Sequence, residues 1–143
     1  MIELTRSVEI ASPPAEVWAV LRDFGAISQW AANVDHSWLM SEQTEGPGAV
    51  RRIQTGPNTI IETVEEWEPG STLSYCIEGL PPVVKSVVNT WTITPTPTGS
   101  TVTLTSRVDA GPRPPQKLIA RAIGHKLAEA SEQMLTGLHE ALA

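Results

Sequence analysis

The sequence predicts an α+β fold: one antiparallel sheet with a long terminal helix laid across it. Three observations support this. An alternating strand at the N-terminus runs into short helical segments. Six segments of period two follow, separated by short turns, up to about residue 110. From Pro114 or Pro115 to Ala141 the period then becomes helical.

In "IELTRSVEI", Ile2, Leu4, Val8 and Ile10 share one face with Arg6 among them, which reads as the first strand. "ASPPAEVWAVLRD" starts a helix. Ser12 is placed to cap it, Pro13 suits the first helical position, and Val17, Trp18 and Leu21 form its apolar stripe. A second short helix, "AISQWAA", is expected after Gly25.

The strand region opens with "VDHSWLMSE" and the turn "TEGPG". "AVRRIQT" then pairs with "TIIETVEEWE" across a turn at Pro57-Asn58. Pro69-Gly70 leads into "STLSYCIEG", "GLPPV" forms a stiffer loop, and "KSVVNTWTITP" and "TVTLTSRVD" complete the set. Loops this short permit no crossovers, so the strands should form one antiparallel sheet. In the last helix Ile119, Ile123, Leu127, Ala130, Met134 and Leu138 step by three or four, and that stripe can be buried only against the sheet.

At 143 residues the chain is expected to be a single domain, residues 1–143, with enough material for a core and a cavity. A net charge of −6 and the lack of a basic stripe argue against nucleic acid as a partner. Arg113, Lys117, Arg121 and Lys126 read as the solvated side of the long helix. Cys76 is the only cysteine, which leaves no internal disulfide and no cysteine-based metal cluster. His125 and His139 stand too far apart on their helix to share a metal, so neither metal nor cofactor is expected. No apolar run is long enough to span a membrane, and no signal peptide is apparent at the start, which makes a cytoplasmic monomer or homodimer the expectation.

The chain resembles the START-like helix-grip (SRPBCC) superfamily, and within it the polyketide cyclase/dehydrase and lipid-transport family. The likeness rests on "IASPPAEVWAVLRDFGAISQW", "GPGAVRRI" and "IIETVEEWEPGSTLSYCIEGLPPV". Pro13, Pro14, Val17, Trp18, Asp23 and Trp30 match the family's helix start and second helix. Gly48 and Arg51 match its third strand, and Glu62 its fourth. The resemblance implies a β-α-α-β6-α order, with a curved seven-stranded antiparallel sheet wrapped around the long C-terminal helix. It also implies a cavity between them for a small hydrophobic molecule, a lipid or polyketide-like compound.

Glu62 is the residue in question. In the expected register Arg51, Ile53, Thr55, Ile60, Glu62 and Val64 share the inward face, with Arg51 and Glu62 diagonal neighbours. Glu62 then serves as a structural ion pair with Arg51, as a polar anchor for a ligand's hydroxyl or carbonyl, or as a general acid/base. Tyr75 and Asn89 are further polar candidates; Tyr75 reads equally as core, and Asn89 reads more readily as packing in the sheet. Ile53, Ile77, Val87, Trp91, Ile119, Ile123 and Leu127 are expected to line the wall, with "GLPP" at the cavity mouth.

Three functions compete. The first is a binder or carrier of a small apolar molecule. The second is a cyclase or dehydratase using Glu62, Tyr75 and His36, for which no convincing catalytic constellation exists. The third is a ligand-free interaction module whose interior is filled by Trp38, Trp91 and Met134.

Overall fold

The computed structural model describes the whole chain, Met1–Ala143. Strand β1 (Ile2–Ile10) is followed by helix α1 (Pro14–Leu21) and a 3-10 helix (Phe24–Gln29). Strands β2 (His36–Leu39), β3 (Val50–Thr55), β4 (Asn58–Glu68), β5 (Thr72–Glu78), β6 (Ser86–Thr96) and β7 (Gly99–Asp109) come next, and helix α2 (Pro114–Ala141) ends the chain. The seven strands form one antiparallel sheet in the order β1-β7-β6-β5-β4-β3-β2. The meander brings β1 and β7 together, and α2 packs on that pair while α1 packs on β6 and β7. No helix is long and apolar enough to cross a membrane.

Period-two alternation sets the inner face. Val87, Asn89, Trp91 and Ile93 of β6 are buried together, as are Ser100, Val102, Leu104, Ser106 and Val108 of β7. A bulge in β4 between Val64 and Glu66 is held by a hydrogen bond from Glu66 N–H to Ser74 Oγ at 3.1 Å.

Four local expectations need correction. Pro13, not Ser12, precedes α1, and no side chain caps it. Pro14 disfavours helical geometry in the residue before it, so Pro13 is extended at φ −66° and ψ 159°. Ser12 is instead buried, with its carbonyl accepting from Ser100 Oγ at 2.7 Å. The second helix is a 3-10 segment that starts earlier than expected, at Phe24.

The β3–β4 turn is centred on Gly56-Pro57, with Gly56 at φ 57°, a conformation that primed hairpin turns favour. This moves the register by two residues: Arg51 faces Glu62 directly, Ile53 faces Ile60 and Thr55 faces Asn58. An even shift leaves each side chain on its expected face.

The fourth correction concerns α2. Between Ala120 and Ala128 the sheet-facing residues are Ala120, Gly124 and Ala128, while Ile123 and Leu127 are half-buried and Ile119 is 38% exposed. Small side chains bring the helix close to β1: a Cβ on Gly124 would stand 2.6 Å from Leu4 Cδ1. The larger side chains are thereby turned toward the helix flank. Ile119 is therefore not a wall residue, whereas Met134 and Leu138 are buried as expected.

Candidate functional site

A band of polar side chains crosses the inner face of the sheet. Arg51 on β3 and Glu62 on β4 are register partners, and the ladder continues from Glu62 to Ile77. In the next row Val64, Tyr75, Asn89, Ser106 and Leu4 are successive partners across five strands. Arg51, Glu62, Tyr75, Asn89 and Ser106 are all buried.

Arg51 Nε donates to Glu62 Oε1 at 2.7 Å, and Arg51 Nη1 donates to the Phe24 carbonyl at 2.9 Å. The guanidinium carbon lies 3.8 Å from the Phe24 ring centre and 4.7 Å from that of Tyr75, so the cation is flanked by two aromatic rings. Arg51 Nη2 is 2.7 Å from the same Glu62 oxygen but has no aligned acceptor for its protons. Both side chains are almost fully enclosed, at 3% and 7% exposure.

Burial pushes the Glu62 carboxyl above its ordinary range, and Arg51 opposes that shift without overcoming it. Burial likewise pushes the Tyr75 hydroxyl up, with the nearby Glu62 charge acting in the same direction. Tyr75 Oη accepts from Trp91 Nε1 at 3.1 Å, and Asn89 Oδ1 accepts from Ser106 Oγ at 2.6 Å. Trp91 and Asn89 both hydrogen-bond the Tyr75 hydroxyl and oppose that rise.

The structure separates the sequence-predicted residues into two groups. Arg51, Ile53, Glu62, Tyr75, Ile77, Val87, Asn89 and Trp91 all lie in the buried interior. Ile123 and Leu127 line an apolar groove of about 310 Å³ with Asn58, Ile60, Gly79, Leu80, Pro81 and Lys126. Ile60 connects the groove to the band, since it stands two residues before Glu62 on the same face of β4. The "GLPP" loop thus forms one rim of the groove. A larger hollow of about 520 Å³ beside Trp30, Glu129, Glu132 and Glu140 contains none of these residues and is lined mainly by polar side chains.

His36 is exposed, away from the band, so it cannot join Glu62 and Tyr75 in catalysis. Trp38, expected to fill the interior in the ligand-free reading, is 44% exposed beside Arg52. Asp35 accepts from Gly56 N–H at 2.8 Å and holds the β3–β4 turn.

Two members of the band were missed from sequence. Ser106 stands between Leu104 and Val108 on the inner face of β7, and a polar residue between those two was its signal. Phe24 supplies a carbonyl and a ring through folding of the 3-10 segment, and nothing local announced it.

A family described as polyketide cyclase/dehydrase and lipid transport matches residues 1–143. No curated protein matches the chain. Among solved structures, XoxI from Bacillus cereus aligns with a TM-score of 0.80 and 20% identity, covering 99% of this chain and 96% of that one. The Zhui aromatase/cyclase from Streptomyces sp. R1128 gives 0.77 and 19%, covering 99% and 93%. A START superfamily protein from Mycobacterium smegmatis gives 0.73 and 14%, covering 98% and 96%. Identities this low establish a shared fold. With the family match running from end to end, the chain belongs to the polyketide cyclase/dehydrase and lipid-transport family.

Proposed function

We propose that the protein binds a small hydrophobic molecule, lipid or polyketide-like, between the sheet and α2. The groove at Ile60, Leu80, Pro81, Ile123 and Leu127 admits the apolar part, and the buried band orients a polar end. The observation that carries this reading is the placement of the buried Arg51–Glu62 pair on the inner face of the sheet, one inward position along β4 from Ile60 in the wall of the groove. A charged pair held there could meet a polar group on a ligand. Tyr75 and Asn89, buried partners on β5 and β6, would help orient that polar end. Apolar contact would supply most of the affinity, at about 25 cal/mol per Å² buried.

One observation favours a cyclase or dehydratase: burial raises the Glu62 carboxyl above its ordinary range, the direction a general acid needs. Against it, Glu62 is engaged by Arg51, and His36 lies outside. Binding is therefore the better-supported reading.

The test is mass spectrometry of what the purified protein releases on denaturation, followed by titration of that compound into wild type and Leu127→Trp. Leu127 is half-buried, so the larger ring should fill the groove without unfolding the chain. A released apolar compound that binds wild type and fails to bind the variant is the expected result. A protein that releases nothing and binds none of a fatty-acid, sterol and polyketide panel would overturn the proposal.

A further inference from the structure

The two halves of α2 carry opposite charge. Residues 110–127 hold Arg113, Lys117, Arg121 and Lys126 with no acid, whereas residues 128–143 hold Glu129, Glu132 and Glu140 with no Lys or Arg. This cationic half stands out in a chain of net charge −6. Lys117, Arg121 and Lys126 are exposed, as is Lys85 on the neighbouring β5–β6 loop. None of them takes part in the salt bridges, which join Arg6 to Glu132, Arg22 to Glu45, Arg51 to Glu62 and Arg107 to Glu3.

The same half exposes apolar side chains. Leu118 is 66% exposed and Ile119 38%. At 100° per residue, Leu118, Ala122, Ile119 and Ile123 lie on the outer side leading to Leu127, with Lys126 between Ala122 and Ile119 and Glu129 between Leu118 and Ala122, while Lys117, Arg121 and His125 form the adjoining side. The apolar flank runs into the groove, whose other rim is Leu80 and Pro81. The acids nearest in sequence are Glu78, Asp109 and Glu129, and Asp109 already accepts from Gly111 N–H at 3.0 Å.

We propose that this face docks on an anionic lipid surface, with Leu118 and Ile119 inserted at the headgroup boundary and Lys85, Lys117, Arg121 and Lys126 over the phosphates. An apolar flank bordered by long, unpaired cations is the pattern of a helix that lies in a membrane interface. The groove opens on that same face, so an apolar cargo would pass between protein and hydrocarbon without crossing water. This placement favours a lipid surface over an acidic protein partner, which would need no opening for cargo at the contact. The proposal rests on the ligand-binding reading for its purpose, but docking is measurable without any ligand.

The test is sedimentation of the full chain with vesicles of phosphatidylcholine alone and of phosphatidylcholine mixed with phosphatidylserine. Binding to the mixed vesicles only, weakening as salt is raised, is expected. Lys117→Ala combined with Arg121→Ala should weaken it about 30-fold, since each cation near such a surface contributes about 1 kcal/mol. Leu118→Asp should abolish vesicle binding while leaving uptake of the released compound in solution unchanged. Equal binding to both vesicle types, no binding to either, or capture of an acidic protein without vesicle binding would overturn the proposal. Vesicle binding by a protein that takes up no small molecule would support the docking surface and refute the ligand-binding reading, so the two failures are distinguishable.

Discussion

Arg51 and Glu62 face each other as direct partners on β3 and β4, joined by an Arg51 Nε to Glu62 Oε1 hydrogen bond of 2.7 Å. Arg51 is the only group that lowers the Glu62 carboxyl against the effect of burial. Replacing it by Met strands a buried carboxylate. Arg51→Met should therefore lose about 3–5 kcal/mol of stability at neutral pH, measured by urea unfolding. The double variant Arg51→Met, Glu62→Leu should recover most of that loss. A single variant as stable as wild type would show that the pair contributes nothing to the fold.

The pH dependence follows from the direction of the Glu62 shift. The folded carboxyl holds its proton more tightly than its ordinary value of 4.5 allows in the unfolded chain. Its contribution to stability is then fully present below 4.5 and is lost as pH rises through the folded value. Glu62→Gln removes this titration and keeps an oxygen that can accept from Arg51 Nε, so it should alter ligand choice more than stability. Wild type should accordingly gain on the Gln variant as pH falls from neutral toward 4.5. Urea midpoints of both proteins across that range are the measurement, and a constant difference would refute the raised value.

Tyr75 and Trp91 are 0% and 1% exposed, and the indole N–H has Tyr75 Oη as its acceptor. Tyr75→Phe removes that acceptor and should cost about 1–3 kcal/mol, seen as a lower thermal midpoint. It also removes a buried hydroxyl beside Asn89, so affinity for a ligand with a polar end should fall with it. A loss of stability with unchanged affinity would assign Tyr75 to the core alone.

Alternation along β3, β4, β5 and β6 was enough to place Arg51, Glu62, Tyr75 and Asn89 on one face, because a strand's side-chain period is fixed by its backbone. The register was not legible to within two residues. Gly56 and Pro57-Asn58 offer competing two-residue turns, and both leave the same side chains inward. The outward turn of Ile119 was hidden for a different reason. Counting apolar residues favoured Ile119, Ile123 and Leu127, whereas close approach to β1 selected Ala120, Gly124 and Ala128. Helix-to-sheet distance is a tertiary quantity, and the two glycines in α2 were its sequence trace.

Those glycines give the last prediction, because their neighbours differ in kind. A Cβ on Gly124 would meet Leu4 Cδ1 at 2.6 Å, the far end of a side chain that can rotate away. A Cβ on Gly137 would collide with the Trp30 carbonyl oxygen and stand 3.1 Å from the Trp30 carbonyl carbon, both backbone. In each case Ala adds helix propensity of up to about 1 kcal/mol relative to Gly. At Gly124 that gain should offset the cost of moving Leu4, leaving stability within about 1 kcal/mol of wild type. At Gly137 the end of the 3-10 segment must separate from α2, and the loss should reach about 1–3 kcal/mol despite the propensity gain. Urea unfolding of Gly124→Ala and Gly137→Ala side by side measures the contrast. Equal effects at the two positions would mean that α2 can shift as a rigid body away from Trp30, and that the closeness of the helix at its C-terminal end is not fixed by that carbonyl.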